Sequence, residues 1–443
     1  MKIFRCLAIG FFAVSMTALF LGCAKTTVSP DNHPLSNNDI STQIDGAVTV
    51  EKSTAGRDTT PDVSTDDVAL LSKGNSAFAL DIYSKLANNT DNIFFSPYSI
   101  SIALAMTWGG ARGQTEQDMA ATLHFPFPQA KLHAAFNALD LAFVRHAQTS
   151  GFELHIVNQL WGEKTYTFMP DYLKLVSVNY GASMRLLDFI GNPEPSRVVI
   201  NSWVADSTNQ RIIDLIPPGN INAFTRLVLT NAIYFKAQWA DTFFSKNTID
   251  KTFYRSETDS IIAKTMTQTG YYNYDSSADY QVVELPYQGN ETSMLIILPA
   301  QGKIAQVEAD LSMESLGFLT ASLKWAQVTV CLPKFNFTTK SIGLSKILQS
   351  LGMAVAFSNN ADFSGVNGAG GLCIGDVFHK AFVEVDENGT KAAAATGIIM
   401  RATMALTSPP IYFAANRPFL FLIRDIQTNA ILFMGKLNDP SQG

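Results

Sequence analysis

Few side chains in this sequence stand where they could do chemistry, and the first is a thiol. Lys2 and Arg5 precede an apolar run from Leu7 to Leu21 that closes on Leu21-Gly22-Cys23. The run is too short and too early to span a membrane, so residues 1–22 read as a signal peptide. Small Gly22 suits a peptidase, and Cys23 supplies a thiol for lipid attachment, as in bacterial lipoproteins. Phe20 stands where such a motif usually has Leu. The competing reading is therefore an ordinary signal peptide, an incidental cysteine and a soluble product. Cys6 leaves with the signal. Cys331 and Cys373 sit in alternating apolar segments, where buried, inert thiols are expected and one disulfide between them stays open. No zinc-like spacing exists, and no metal or cofactor is expected.

The second feature is the segment Glu387-Asn388-Gly389-Thr390-Lys391, followed by Ala392 to Ala395, Thr396 and Gly397, directly after the strand-like run 379–385. Four successive alanines favour helix, yet glycines bracket them and no helical apolar stripe accompanies them. Standing alone, the segment reads as a surface loop with an alanine-rich turn. Counted in twos it reads differently. Thr390, Ala392, Ala394, Thr396, Ile398 and Met400 would face one way, uncharged and small at the start, while Lys391 and Arg401 fall on the other side. A strand that must slide into a finished sheet needs that division. Enzyme motifs are missing: no HExxH, no GxSxG, no P-loop, and no GxGxxG after a strand. Six scattered histidines give a catalytic triad no positive support.

The elements that must position these residues come from a chain of 443 residues, 47% hydrophobic and 16% charged, which is ample to bury a large core. Residues 24–67 hold Ser, Thr, Asn, Asp and Pro with no aromatic residue and no period, and read as a flexible tether from Cys23. Periodic structure runs from Val68 to Leu437, one domain assigned to 68–443. Phe78, Ile82 and Leu86 share a helical face, Ser96-Pro97 supplies an N-cap with proline in the first turn, and Thr115 with Asp118 suggests a capping box. Strand signals follow at Phe152/Leu154/Ile156, 227–235, 293–299 and Val328/Val330/Leu332, and 418–425 with 430–437 reads as a hairpin. Helices first and antiparallel strands later argue α+β. Loss of Lys2 and Arg5 moves the formal net charge from −6 to −8, which disfavours a nucleic-acid partner.

Residues 92–115, 225–239, 282–299, 332–337, 351–365 and 417–425, in that order and together with the segment after Glu387, closely resemble the serpin family. The resemblance covers nearly the whole domain. It implies a serpin fold of three β-sheets and about nine helices, with an exposed reactive-centre loop above a large central sheet. It also implies inhibition of serine-type endopeptidases, cysteine-type ones not being set apart. The enzyme attacks the loop, and the cleaved loop inserts as an extra strand; serpin loop insertion is itself a standard example of such a switch. Carried over residue by residue, Glu387, Gly389, Thr390, Ala392, Ala394 and Thr396 form the hinge. Trp239 marks where the loop enters, and Ser96, Ser99, Asn231 and His379 form the polar cluster beneath the opening strands. Thr403-Met404 is the expected scissile bond, about fourteen residues after Gly389, with Arg401-Ala402 and Met404-Ala405 beside it. Departures are Asn388 and Lys391 where acids are frequent, and Ala237-Gln238 before the tryptophan.

Ser96, Ser99 and His379 could be taken for a nucleophile and base. The resemblance instead makes them groups that satisfy one another, so the protein is not expected to be an enzyme. A hinge without proline, bulky residue or inward charge favours inhibition over the alternative, a surface binding or structural lipoprotein that keeps the fold without trapping. The expected partners are elastase-like or subtilisin-like proteases and, through Cys23, a lipid membrane. A monomeric, exported, cell-envelope protein is expected, on the outer-membrane, periplasmic or surface face, or an extracellular one if the anchor is absent.

Overall fold

The computed structural model describes residues 48–87, 91–150, 153–390 and 409–442. Its first six helices are α1 (Thr65–Leu86), α2 (Pro97–Trp108), α3 (Gly113–Thr122), α4 (Gln129–Ser150), α5 (Pro170–Tyr180) and α6 (Pro193–Ser207), with four more between 304 and 367. Its strands are β1 (Thr49–Glu51), β2 (Ile93–Phe95), β3 (Glu153–Glu163), β4 (Met184–Leu187), β5 (Leu227–Gln238), β6 (Ile249–Tyr254), β7 (Ser260–Ser276), β8 (Tyr280–Pro286) and β9 (Thr292–Pro299). They continue with β10 (Lys324–Pro333), β11 (Phe335–Thr338), β12 (Ile342–Gly343), β13 (Val377–Val385), β14 (Gly389–Thr390), β15 (Ile411–Ala414), β16 (Phe419–Asp425) and β17 (Ile431–Leu437).

One sheet runs β1-β4-β3-β5-β13-β11, with β12 on β13 and β14 on β5; the other runs β15-β10-β7-β8-β9-β16-β17-β2, with β6 on β7. Two of the three expected sheets thus share a strand. The 17 residues of β7 pair with β6 and β10 over one part and with β8 over the other, so the hydrogen-bonded path runs through both. At about 3.3 Å per residue such a strand is far longer than one small sheet needs.

The apolar run of β5 is explained by burial on both faces. Leu229, Ile233 and Phe235 join the main core with α2, all twelve of whose residues are buried. Val228 and Ala232, on the opposite parity, join a second cluster with Trp161, Val199, Ile200 and Val204 of β3 and α6. β16 and β17 form the expected antiparallel hairpin at the centre of the main core.

The tether reading of 24–67 meets a different structure over its last part. Residues 49–51 pair antiparallel with 186–184 at the edge of the sheet. The chain then lies across α4 and α5. Arg57 reaches Asp140 at 2.6 Å and Asn137 at 2.8 Å, Ser177 Oγ donates to the Ala55 carbonyl at 2.6 Å, and the Asp58 N–H to that of Val178 at 2.9 Å. α1 begins at Thr65, capped by the Ser64 hydroxyl. A three-residue strand and isolated polar contacts leave no period in a sequence. The capping box at Thr115 is also corrected: α3 starts at Gly113 behind Arg112, which makes no side-chain cap, and Thr115 Oγ1 accepts the Asp362 N–H at 2.9 Å. Both body cysteines are free thiols; Cys331 is buried, but Cys373 is half-exposed in irregular chain rather than in a strand. Burial raises the pKa of the Cys373 thiol. Among the described residues, no helix is long and apolar enough to cross a membrane, and no His/Cys/Asp/Glu group could hold a metal ion.

Candidate functional site

The seam between β5 and β13 carries the polar residues singled out in the sequence. These strands run parallel, Leu229–Tyr234 against Val377–Phe382, which sets Asn231 directly beside His379. α2 presents its N-terminus underneath. Ser96 is its N-cap: the Ser96 hydroxyl accepts the Ser99 N–H at 3.1 Å and donates to the Leu432 carbonyl at 2.7 Å. Proline in the first turn needs no donor, and the β-region φ/ψ of Ser96 lets its oxygen fold back onto the helix.

His379 Nε2 accepts the Ser96 backbone N–H at 3.1 Å, so the ring proton sits on Nδ1 and is donated to Asn231 Oδ1 at 2.6 Å. Asn231 Nδ2 in turn donates to Ser99 Oγ and to Asn158 Oδ1 of β3, each at 2.6 Å, and also contacts the Ser99 carbonyl. All four predicted members of the cluster come together, and Asn158 is the member that the sequence reading missed. Its signal was a polar residue between Ile156 and Leu160 on one parity of the strand. Complete burial lowers the pKa of His379 to about 3, so the ring is neutral and stays so.

This geometry answers the nucleophile-and-base reading. Neither serine hydroxyl bonds His379: Ser96 Oγ is spent on Leu432 and Ser99 Oγ on Asn231, while Nε2 holds a backbone N–H. Ser96, Ser99 and His379 are all 0% exposed, leaving no approach for a substrate. A base needs a free lone pair within reach of the proton it takes, and here it is occupied.

A second set of contacts lies at the C-terminal end of β5. Trp239 is buried, stacked on Tyr287 at 4.7 Å with 6° between the planes, and edge-on to Phe243. Its indole N–H donates to the Asp386 carbonyl at 3.0 Å, its backbone N–H to that of Asn388 at 2.9 Å, and the Phe243 N–H to that of Glu387 at 2.8 Å. The Glu387 carboxylate bonds Lys334 at 2.6 Å and Thr248 Oγ1 at 2.7 Å. Burial alone would raise the pKa of this carboxyl, but the bonds to Lys334 and Thr248 outweigh it and hold the pKa below the usual value. Lys334, Thr248, Tyr287 and Phe243 were not foreseen; a lysine inside the apolar run 332–337 was the available signal.

Past Glu387 the chain turns back on itself through an Asp386–Gly389 bridge and begins β14, antiparallel to β5, with Gly389 opposite Gln238 and Thr390 opposite Ala237. Gly389 has φ +137°, and a Cβ there would lie 2.1 Å from the Ala237 carbonyl oxygen. Only glycine makes this turn against the neighbouring backbone. Cys23, Ala392, Ala394, Thr396, Thr403 and Met404 lie outside the described residues.

A glycine turn and a short strand beside a buried tryptophan, at the end of a parallel seam closed by a polar cluster, are the arrangement that the resemblance in the sequence implies. Comparison with known proteins agrees. The sequence model of the family described as Serpin (serine protease inhibitor) matches residues 73–440. A serpin-like protein of Thermococcus kodakarensis is 41% identical over 370 residues, 83% of this chain and 85% of that protein. The leukocyte elastase inhibitor of Xenopus tropicalis is 40% identical over 381 residues, 84% of this chain and 99% of that protein. Among solved structures, human thyroxine-binding globulin superposes with a TM-score of 0.77 at 30% identity, over 85% of this chain and all of that one. The chain belongs to the serpin family. Its relatives include proteins named as protease inhibitors, a class counted with peptidase inhibitors and not with enzymes.

Proposed function

We propose that this protein inhibits serine-type endopeptidases, and by the same acyl chemistry cysteine-type ones, as a suicide substrate. The protease cleaves the loop near Thr403-Met404, and insertion of the loop traps it. The observation that carries the reading is β14: the hinge already pairs with the end of β5, in the antiparallel sense that an inserting strand requires. Continuing that register sets Thr396 opposite Asn231 and Met400 opposite Leu227, so residues 389–400 would match the twelve residues of β5 one for one. Cleavage at Thr403 frees enough chain for this. About 14 residues at roughly 3.3 Å each carry the protease on the order of 45 Å. If 15–20 backbone hydrogen bonds form at about 1 kcal/mol each, the gain is comparable with the whole stability of a typical domain.

The small hydroxyl or thioether side chains of Thr403 and Met404 favour elastase-like or subtilisin-like targets, whereas use of Arg401 would favour trypsin-like ones. Cys23, after the signal-like run, supports export and lipid anchoring in a cell envelope. The test is a covalent complex with subtilisin or pancreatic elastase that survives boiling in detergent. A second reading, a binding protein that keeps the fold without trapping, draws on the likeness to thyroxine-binding globulin, solved in complex with thyroxine. In that case the gel shows cleaved chain and no complex.

A further inference from the structure

Burial alone would make Cys331 inert, but its neighbours are not those of an inert core thiol. It stands on β10 opposite Thr267 of β7 and Ala414 of β15, and is 2% exposed. Its cover is thin. Among the described residues β15 is an edge strand paired only with β10, and the Tyr412 ring on it is 58% exposed. Lys251 of β6 reaches across, and its Nζ donates to the Cys331 sulfur and to Thr267 Oγ1, each at 3.2 Å. The Thr267 hydroxyl also donates to that sulfur at 3.6 Å, and the thiol in turn donates to the Tyr412 hydroxyl at 3.4 Å. Among the described residues Lys251 forms no ion pair with a carboxylate; Asp250, its neighbour in the chain, is taken by Lys264 at 2.9 Å. A nitrogen nucleophile with no carboxylate to hold it thus lies in contact with an oxidisable sulfur.

We propose that Lys251 and Cys331 form a modification site on which hydrogen peroxide acts, closing into a reversible sulfur–nitrogen cross-link between β6 and β10. The inference is independent of the inhibitor reading. Peroxide enters where Tyr412 turns aside. In the first step the Cys331 sulfur attacks one peroxide oxygen and the O–O bond breaks. The thiol proton leaves through the Tyr412 hydroxyl to water, the departing hydroxide takes up a proton, and a sulfenic acid and one water result. Sulfur is oxidised by two electrons and the peroxide is reduced by two. The Lys251 ammonium and the Thr267 hydroxyl stabilise the negative charge that the sulfur carries as it attacks. In the second step the ammonium gives one proton to water and its amine attacks the sulfur. The S–O bond breaks, and the hydroxide leaves with the proton that nitrogen sheds. The products are a sulfenamide and a second water, as when a backbone nitrogen captures a sulfenic acid. The amine is in place before the oxidant arrives, so capture is intramolecular and outruns further oxidation. The new bond ties strands whose joined residues lie 80 apart in the chain, and restricts the unfolded state as a disulfide does.

The experiment treats the folded full-length protein with hydrogen peroxide, then unfolds it in urea, alkylates it with iodoacetamide and digests it with trypsin. The dose is raised until about half of Cys373, the half-exposed thiol, is oxidised. At that dose at least as much of Cys331 should be cross-linked. Two signals should disappear together, the alkylated Cys331 peptide and cleavage after Lys251. In their place a joined peptide should appear, two hydrogens lighter than its unmodified parts, and dithiothreitol should restore both signals. Lys251→Arg keeps the positive charge but carries no amine. In that variant Cys331 should be captured by dimedone as the sulfenic acid, with no joined peptide and with normal cleavage after residue 251. A wild-type Cys331 still fully alkylated at this dose would overturn the proposal, and so would one that is oxidised while cleavage after Lys251 is unaffected. A joined peptide of the same two segments in Lys251→Arg would also overturn it, because the nitrogen would then be another residue's.

Discussion

His379 gives a prediction whose size can be worked out. Its neutral ring joins β13 to β5 and to α2, and full burial lowers its pKa to about 3 against 6.5 for a solvated histidine. As pH falls, the unfolded chain takes up this proton first. The contribution is therefore complete above about pH 6.5 and is lost progressively down to about pH 3. Between pH 8 and pH 5 the loss is set almost wholly by the unfolded value and comes to about 2 kcal/mol, as long as the folded pKa stays well below 5. His379→Gln keeps an acceptor for the Ser96 N–H and a donor for Asn231 but removes the titration. His133, whose pKa burial also lowers to about 3, stays in both proteins and cancels from the comparison. Urea unfolding at pH 8, 6 and 5 should show the variant losing about 2 kcal/mol less than wild type across the range. Parallel losses, within about 0.5 kcal/mol, would refute the argument that this ring is held neutral by the seam.

Cys23→Ser should release the protein from membranes or leave it unprocessed; normal fractionation and maturation would rule out lipid anchoring there. The carboxy-terminal peptide released by a trapped protease should begin between residues 402 and 406 by mass spectrometry, with Met404 favoured, and any other start refutes the assigned bond. Gly389→Ala must place a Cβ against the Ala237 carbonyl at a strained φ, so it should cost about 1–3 kcal/mol wherever β14 is formed. It should shift the enzyme reaction from complex towards cleaved product, and an unchanged complex yield would show that β14 is dispensable. Thr390→Arg introduces an unpaired guanidinium at the first position paired with Ala237, at a cost of several kcal/mol on insertion, and should convert the inhibitor into a substrate cleaved at the same bond. Lys391→Glu should inhibit nearly normally, and full complex yield from Thr390→Arg would refute insertion as the mechanism.

The legible parts of the fold were those with strong local signals. The hairpin of β16 and β17 and the apolar run of β5 follow from unbroken apolar segments long enough for buried strands. The start of α2 follows from Ser-Pro, because capping is chemistry between residues three apart. Thr115 had the same local chemistry, but a backbone N–H 247 residues away along the chain took its hydroxyl, and the N-cap fell three residues earlier, at Arg112. β1 and the path of 52–64 depend on Arg57, Asn137 and Ser177 meeting across elements, which no periodicity records. The contacts around Trp239 were half legible: the tryptophan and Glu387 were found by resemblance. Lys334 and Thr248 become partners of Glu387, and Tyr287 of Trp239, only when the chain at the ends of β10, β6 and β8 converges.

Register ties the two polar clusters to one motion. β14 holds Thr390 against Ala237, and in the proposed insertion each further residue would move one position down β5. Residues 390, 392, 394, 396, 398 and 400 then fall opposite 237, 235, 233, 231, 229 and 227, the positions that include the α2-facing core residues Leu229, Ile233 and Phe235. The uncharged parity is the one that must be buried there. The other parity sets Ala395 opposite Ala232 and Gly397 opposite Thr230, whose hydroxyl holds the Trp161 indole at 3.0 Å beneath α6. Small side chains are needed on that side too, which explains alanine at both parities where a simple amphipathic strand would need it at one. The costly step falls at Thr396, which must part Asn231 from His379. Its hydroxyl can both donate and accept, so the Asn231 carbonyl oxygen and the His379 Nδ1–H separated by the incoming strand need not be left buried without partners. A valine of the same shape could not make that exchange. In the proposed insertion the polar cluster would therefore act as a latch that a hydroxyl at this position is suited to open, and the hinge sequence carries one there.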